Sequence, residues 1–483
     1  MGSTTHRTAP DPNQTGWPGG IRYIIGNEGC ERFSYYGMKA ILLIYVTGLF
    51  MNLEGMSADQ ANAEATIVTH TFNAAVYALP LVGALIADRL LGKYQTIIWL
   101  SVVYCLGHLA LALFESPALQ MSLLGIDNPK DVPIDPISGL YLGLGLIAAG
   151  SGGIKPCVSA HVGDQFGKSN WHLLQKVYNA FYFIINFGSA FATIIIPIIR
   201  GKVGELSAAG ECIPLESGAD MVGNVCYTGS VGLAFGIPGI LMGLATIAFW
   251  MGRHKFIHVP SNPGGKLGLL DVLSGTFLAN MIIYPIFLKG QFGTGAIGTT
   301  IVIIASFMIH LAIFQYRQKI EADDGFLAIL YFSIARKLKG GAGKGGFFAP
   351  ANEKYGEDIV EGPIAVLRIM SVFLMVSVFW GLFDQHSTTW LKQAQMMDRQ
   401  LGMALFSFDP NAAYGLTFSN SADLFNEWIL IGLGLGLVLG LTAYVSFTAR
   451  SKKLIGLGVG LVVGLGIGLL AYDNGGYYDM QAS

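Results

Sequence analysis

Apolar residues in this chain run in long blocks rather than alternating. Stretches near residues 21–50, 64–88, 94–114, 138–162, 175–199, 230–251, 268–288, 295–316, 364–391, 428–447 and 454–472 are each long enough to cross a bilayer as a helix. Eleven spans are therefore predicted, and the chain reads as an all-α integral membrane protein. The polar blocks between them alternate in charge. One set carries Arg89, Lys93, Lys168, Lys176, Arg253, Lys255, Arg317, Lys319, Arg450, Lys452 and Lys453; the other carries Glu54, Asp59, Asp127, Asp131, Glu211 and Asp220. Cationic loops stay in the cytoplasm, so the N-terminus is expected inside and the C-terminus outside. The basic, glycine-containing stretch 318–362 then becomes a cytoplasmic linker, read as a solvated loop.

Composition narrows the class further. With 52% hydrophobic and 12% charged residues, the chain is neither a soluble domain nor a disordered one. The 64 glycines suit closely packed transmembrane helices. Residues 431–439 and 456–469 repeat Gly-Leu and Gly-Val without an ionisable group, and read as packing or peripheral helices. A net charge of −2 gives no ground for a nucleic-acid partner. No cysteine spacing fits a metal, and no cofactor motif is present. Cys30, Cys105 and Cys157 read as small packing residues, while Cys212 and Cys226 share one loop and could be either bridged or free if it is extracytoplasmic. The first twenty residues lack the basic and apolar blocks of a cleaved signal, so the first helix is expected to act as an uncleaved insertion signal.

The chemistry is concentrated in the first span, where residues 28–37 read Glu-Gly-Cys-Glu-Arg-Phe-Ser-Tyr-Tyr-Gly. Each charged side chain near a bilayer midplane costs roughly 3 kcal/mol, so Glu28, Glu31, Arg32 and Lys39 together cost about 10 kcal/mol unless paired or solvated. Positions 28, 31, 32, 35 and 39 share a helix face, so acids and bases can neutralise one another around a polar cavity. Lys155 sits in an apolar, glycine-rich helix directly before Pro156, and reads as a second cavity charge. The pattern indicates a transporter; HExxH, nucleophile-elbow and P-loop signatures of an enzyme are absent from the sequence.

With these residues in view, the chain resembles the proton-dependent oligopeptide transporter family of the major facilitator superfamily. An ExxERFxYYG signature runs from Glu28 to Gly37, and Gly-Ala-Leu-Ile-Ala-Asp-Arg-Leu-Leu-Gly at 83–92 is similar to the superfamily loop between helices two and three. Gly-Ser-Gly-Gly-Ile-Lys-Pro at 150–156 follows the family's fourth helix, and Phe-Trp-Gly-Leu-Phe-Asp-Gln at 379–385 its seventh. The resemblance covers about residues 20–395. It implies a cytoplasmic tail (1–20), a complete N-terminal six-helix bundle (21–255), an extra helix pair (256–320), a linker (321–363) and a seventh family-type helix (364–391). An extracytoplasmic segment (392–427) and two Gly-rich helices with a tail (428–483) follow, an incomplete or atypical C-terminal half. The family's tenth-helix glutamate, in a Gly-Glu context near Ser-Pro, has no counterpart after Trp390. A truncated product, a fragment or a family variant would each explain this.

The resemblance further implies a proton-coupled symporter of the cell membrane, importing di- and tripeptides by alternating access without covalent chemistry. Lys155 would hold the peptide carboxylate, and Glu28, Glu31, Arg32, His70 and Asp384 would carry proton coupling and gating. Tyr35, Tyr36, Lys39, Tyr77, Asn186 and Trp380 would line the peptide site. Lys39 stands where much of the family has arginine, keeping the charge and losing the bidentate fork. Two rivals remain: a non-transporting peptide-binding or regulatory membrane protein, and a symporter of another small anion such as nitrate.

Overall fold

The computed structural model describes residues 6–390 except 129–130, 216–220, 222–223, 290–291 and 339–345, together with 393, 458–459 and 461–462. The chain divides into two units, residues 1–214 with 221–388 and residues 215–220 with 389–483. The segment 392–427 and the predicted spans at 428–447 and 454–472 fall almost wholly outside the described residues. All helices and strands named below belong to the first unit.

Nine helical segments among the described residues are long and apolar enough to cross a membrane. Helix α1 (Ile21–Glu54) ends at Gly55, whose φ of 64° supplies the left-handed cap. A capping box of Ser57 and Gln60 starts α2 (Ala58–Ala78), which continues through Pro80 into α3 (Pro80–Ile86) and a π-helical turn, Ala87–Leu91. Helix α4 (Lys93–Phe114) and the short α5 (Pro117–Leu124) follow. Asp135 caps α6 (Pro136–Asp164), accepting from the Ser138 backbone at 2.9 Å, and the hydrogen bonds from Ser138 hold its carboxyl below the usual value. Helices α7 (Leu174–Arg200) and α8 (Val231–Met251) complete six spans. In the core of this bundle α4 lies against α6 and α8, and α1 against α7 and α8.

Glycines allow these helices to touch. A Cβ built on Gly83 of α3 meets the Gly153 Cα and the Gly152 carbonyl of α6, so backbone faces backbone. Gly83→Ala is expected to lower the thermal midpoint of the detergent-solubilised protein, because neither neighbour has a side chain to swing aside. Overpacking of this kind costs about 1–3 kcal/mol. An unchanged midpoint would mean that α3 and α6 do not meet as described.

Between α7 and α8 lie β1 (Val203–Leu206), β2 (Cys212–Pro214) and β3 (Val225–Tyr227), which form a sheet of order β2-β1-β3. Cys212 and Cys226 are disulfide-bonded. The sheet is tied to α1: the Asn52 amide donates to the Val225 carbonyl and accepts from its N–H, both at 2.8 Å, and the Tyr227 hydroxyl donates to the Ile44 carbonyl.

The extra pair is α9 (Gly265–Ile283), continued by a π turn, and α10 (Ala296–Ile320). The stretch 318–362, expected to be a solvated loop, is largely helical: α11 (Phe326–Leu338) and α12 (Ala349–Tyr355) precede α13 (Glu357–Phe383). The reason is an apolar face that a charge count overlooks. Ile329, Ala351 and Val360 are fully buried together, with Phe332, Phe348 and Tyr355 packed around them. His310 of α10 pins α11 by a 2.8 Å contact with the Tyr331 hydroxyl.

At the end of α3 the extra pair grips the bundle. Arg89 lies 3.6 Å from Asp271 and 3.8 Å from Asp323, and Arg317 bonds Asp271 at 2.8 Å. The loop before α9 adds backbone bonds, with Asn262 and Gly264 donating to the carbonyls of Asp88 and Arg89.

Candidate functional site

The two first-helix acids are buried, Glu28 1% and Glu31 0% exposed. Arg32 lies one turn after Glu28, and its Nε donates to that carboxylate at 2.7 Å. The same nitrogen lies 3.3 Å from Glu31 Oε2. The other Glu31 oxygen accepts from the Ser151 hydroxyl of α6, also at 3.3 Å. Two buried acids thus share one guanidinium, which leaves one negative charge over unless one carboxyl is protonated.

Lys155 of α6 stands beside this group without a carboxylate within 4.0 Å among the described residues. Its ammonium lies instead 4.0 Å from the centre of the Tyr35 ring and 5.5 Å from that of Tyr77. A cation held by two π faces keeps its hydrogen-bond donors available. The glycines before it bring α6 close to its neighbours, Gly152 against Leu79 and Gly153 against Leu100.

Tyr35 is buried; its hydroxyl meets Asn73 Oδ1 at 3.4 Å and its ring is edge-on to Tyr36 at 5.3 Å. Lys39, on the helix face it shares with the acids of α1, is 3.5 Å from Asp384, just past the end of α13. His70 Nε2 lies 3.0 Å from the Thr388 hydroxyl. Glu28, Glu31, Arg32, Tyr35, Tyr36, Tyr77 and Lys155 therefore form one neighbourhood, and Lys39 with Asp384 a second. Asn186 and Trp380 join neither. Asn186 is exposed, donating to the Tyr182 carbonyl one turn back in α7, because residues 184, 188, 192 and 196 take the face against α1. Trp380 is 46% exposed and packs edge-on to Phe379 and Phe383 of its own helix.

Sequence reading missed Ser151, Asn73 and Thr388. The first two carried a signal: Ser151 lies inside the Gly-Ser-Gly-Gly run, and Asn73 shares the helix stripe of His70 and Tyr77 by three- and four-residue spacing. Thr388, 318 positions from its partner, carried none. Among the described residues no group of three or more His, Cys, Asp or Glu is placed to hold a metal ion.

The family model PTR2, described as the POT family, matches residues 94–274 and 299–413, more than half of the chain. The chain belongs to the POT family. Solute carrier family 15 member 2 of Danio rerio is 31% identical over 80% of this POT chain and 41% of its own length. Peptide transporter family 1 of Drosophila melanogaster is 33% identical over 79% of the chain and 39% of its own length. The crystal structure of an auto-inhibited POT family peptide transporter superposes with a TM-score of 0.51 at 32% identity, covering 80% of this chain and 63% of that one. The chain thus spans about two-fifths of the curated relatives it matches. Its fold is mostly helical, multi-pass and of the major facilitator type, the small sheet between α7 and α8 being the departure from the all-α expectation, and the POT relatives are transporters rather than enzymes.

Proposed function

We propose that this chain is a proton-coupled symporter that imports di- and tripeptides by alternating access. The observation that carries the reading is Lys155: a membrane-embedded ammonium resting on tyrosine rings, beside a Glu28–Arg32–Glu31 group in which the guanidinium is already engaged by both acids. A peptide carboxylate is the ligand such a cation fits, and Tyr36 and Tyr77 supply hydroxyls for the peptide backbone. Protonation of Glu28 or Glu31 loosens Arg32 and changes the field at Lys155, which links peptide occupancy to proton occupancy. The ion pair of Lys39 with Asp384 and the contact of His70 with Thr388 join the first bundle to the end of α13, where gating would act. The N-terminus is cytoplasmic on this reading. The Cys212–Cys226 bridge supports that orientation, because it puts the α7–α8 loop in an oxidising compartment.

The test is Glu31→Gln in proteoliposomes. Exchange of labelled for unlabelled dialanine is expected to continue while uptake loses its response to an imposed proton gradient. Proton-driven uptake equal to that of the unsubstituted protein would remove Glu31 from the coupling step.

A further inference from the structure

Residues 6–17 lie across the end of the bundle at which α1 begins, bound in a seam between two loops. On one side is the loop joining α6 to α7. Its Ser169 hydroxyl donates to the Gln14 carbonyl at 2.9 Å and its Asn170 amide to the Gly16 carbonyl at 3.1 Å, while a Cβ built on Gly167 would stand 3.0 Å from the Pro10 Cβ. On the other side is the loop joining α8 to α9, whose His258 N–H donates to the Arg7 carbonyl at 2.8 Å. Gln165 ties the two loops together, bonding both the N–H and the carbonyl of Ile257. The tail's remaining hold on the second loop is made of imidazoles. The His6 ring stacks on that of His258 at 4.1 Å and on that of His254 at 5.5 Å.

Such a stack tolerates one proton and resists a second, because two imidazolium rings at these distances repel each other. His258 Nε2 lies 2.8 Å from the Arg253 carbonyl, so the neutral ring carries its hydrogen there and an added proton goes to Nδ1. Burial pushes the His258 imidazole below its ordinary value, and the charges of His6 and His254 push the same way, against the Arg253 carbonyl, which raises it. The other groups facing the stack do not relieve it. Arg7 of the tail and Arg253 and Lys255 of the second loop are further cations. From α4 the Tyr94 ring comes within 4.5 Å of His258, and from α6 His161 lies within its electrostatic reach. The acids of these elements are engaged, Asp11 with Arg7 at 3.5 Å and Asp164 with Lys93 at 2.8 Å. We propose that His6, His254 and His258 form an acid-released latch: the tail is clasped to the two loops while the rings are neutral and lets go when a second ring is protonated. The released tail binds more protons than the clasped one, so the clasp strengthens as pH rises and is lost as pH falls through about 6.5. On the symport reading protons are delivered to this end of the bundle, and the latch senses them there; that use rests on the reading, whereas the latch does not.

Electron paramagnetic resonance of a nitroxide on the exposed position 8 reads the tail's mobility, with Thr8→Cys in the full chain and Cys30→Ala, Cys105→Ala and Cys157→Ala removing the free thiols. An immobilised spectrum is expected at about pH 7.5, and a ratio of mobile to immobile label about tenfold higher at about pH 5.5. His6→Phe and His258→Phe keep a flat ring that stacks and cannot take a proton. Both are expected to hold the label at the lower pH, which also shows that acid has not unfolded the bundle. His6→Arg, permanently charged, is expected to free the label at the higher pH. Equal mobility at the two pH values, or an acid release unchanged in both phenylalanine variants, overturns the latch. Release as expected in a chain that does not accumulate dialanine upholds the latch and strikes only the symport reading.

Discussion

Lys155→Ala is expected to weaken dialanine binding by roughly 30-fold or more, and to erase the preference for dialanine over its C-terminal amide. The size follows from what the substitution removes. Truncating one partner of a buried, hydrogen-bonded charge pair costs about 2–5 kcal/mol, and 1.4 kcal/mol is tenfold in affinity. Arg32 offers no substitute, because Glu28 and Glu31 already hold it at 2.7 and 3.3 Å. Lys39 is engaged with Asp384. Titration calorimetry with the acid and the amide reads both quantities at once. If Lys155→Ala binds dialanine as tightly as before, the carboxylate is held elsewhere.

The second large effect concerns stability. Asp271 sits between Arg89 and Arg317, and Arg317 is only 3% exposed. Asp271→Asn removes the charge that neutralises it, leaving Asp323 at 3.9 Å and the Glu321 carbonyl as remaining partners. Breaking a buried pair from one side costs about 3–5 kcal/mol. The thermal midpoint is therefore expected to fall by several degrees in Asp271→Asn and to recover substantially in Asp271→Asn with Arg317→Met, where no unpaired cation is left. Equal midpoints for the unsubstituted protein and Asp271→Asn would show that the grip of the extra pair on the 83–92 loop contributes little.

The amino-acid pattern made much of this visible, for reasons that differ from place to place. Membrane spans are legible because a bilayer demands long apolar blocks, and the first nine predicted blocks coincide with the nine apolar helices of the described residues. The charged stripe of α1 is legible because charge in such a block stands out, and three- to four-residue spacing places Glu28 and Arg32 together. Helix α11 was hidden by its own cations. Arg336 and Lys337 drew attention from Ile329 and Phe332, whose phase marks a buried face. Asn186 shows the converse: it is exposed and bonds the Tyr182 carbonyl of its own helix, on the side of α7 away from the positions at 184 and 188 that meet α1. The contacts of Lys39 with Asp384 and of His70 with Thr388 span more than 300 positions, and nothing local in the sequence encodes them.

Uptake of labelled dialanine by proteoliposomes holding this 483-residue chain, under an imposed inward proton gradient, tests the central claim most directly. One proton crossing about 150 mV supplies about 3.5 kcal/mol, enough for accumulation of roughly 300-fold. Accumulation above the outside concentration is expected, collapsing when the gradient is discharged and absent in Lys155→Ala. Dialanine that binds but never rises above the outside concentration would contradict it, and would leave a peptide-binding membrane protein in place of a symporter.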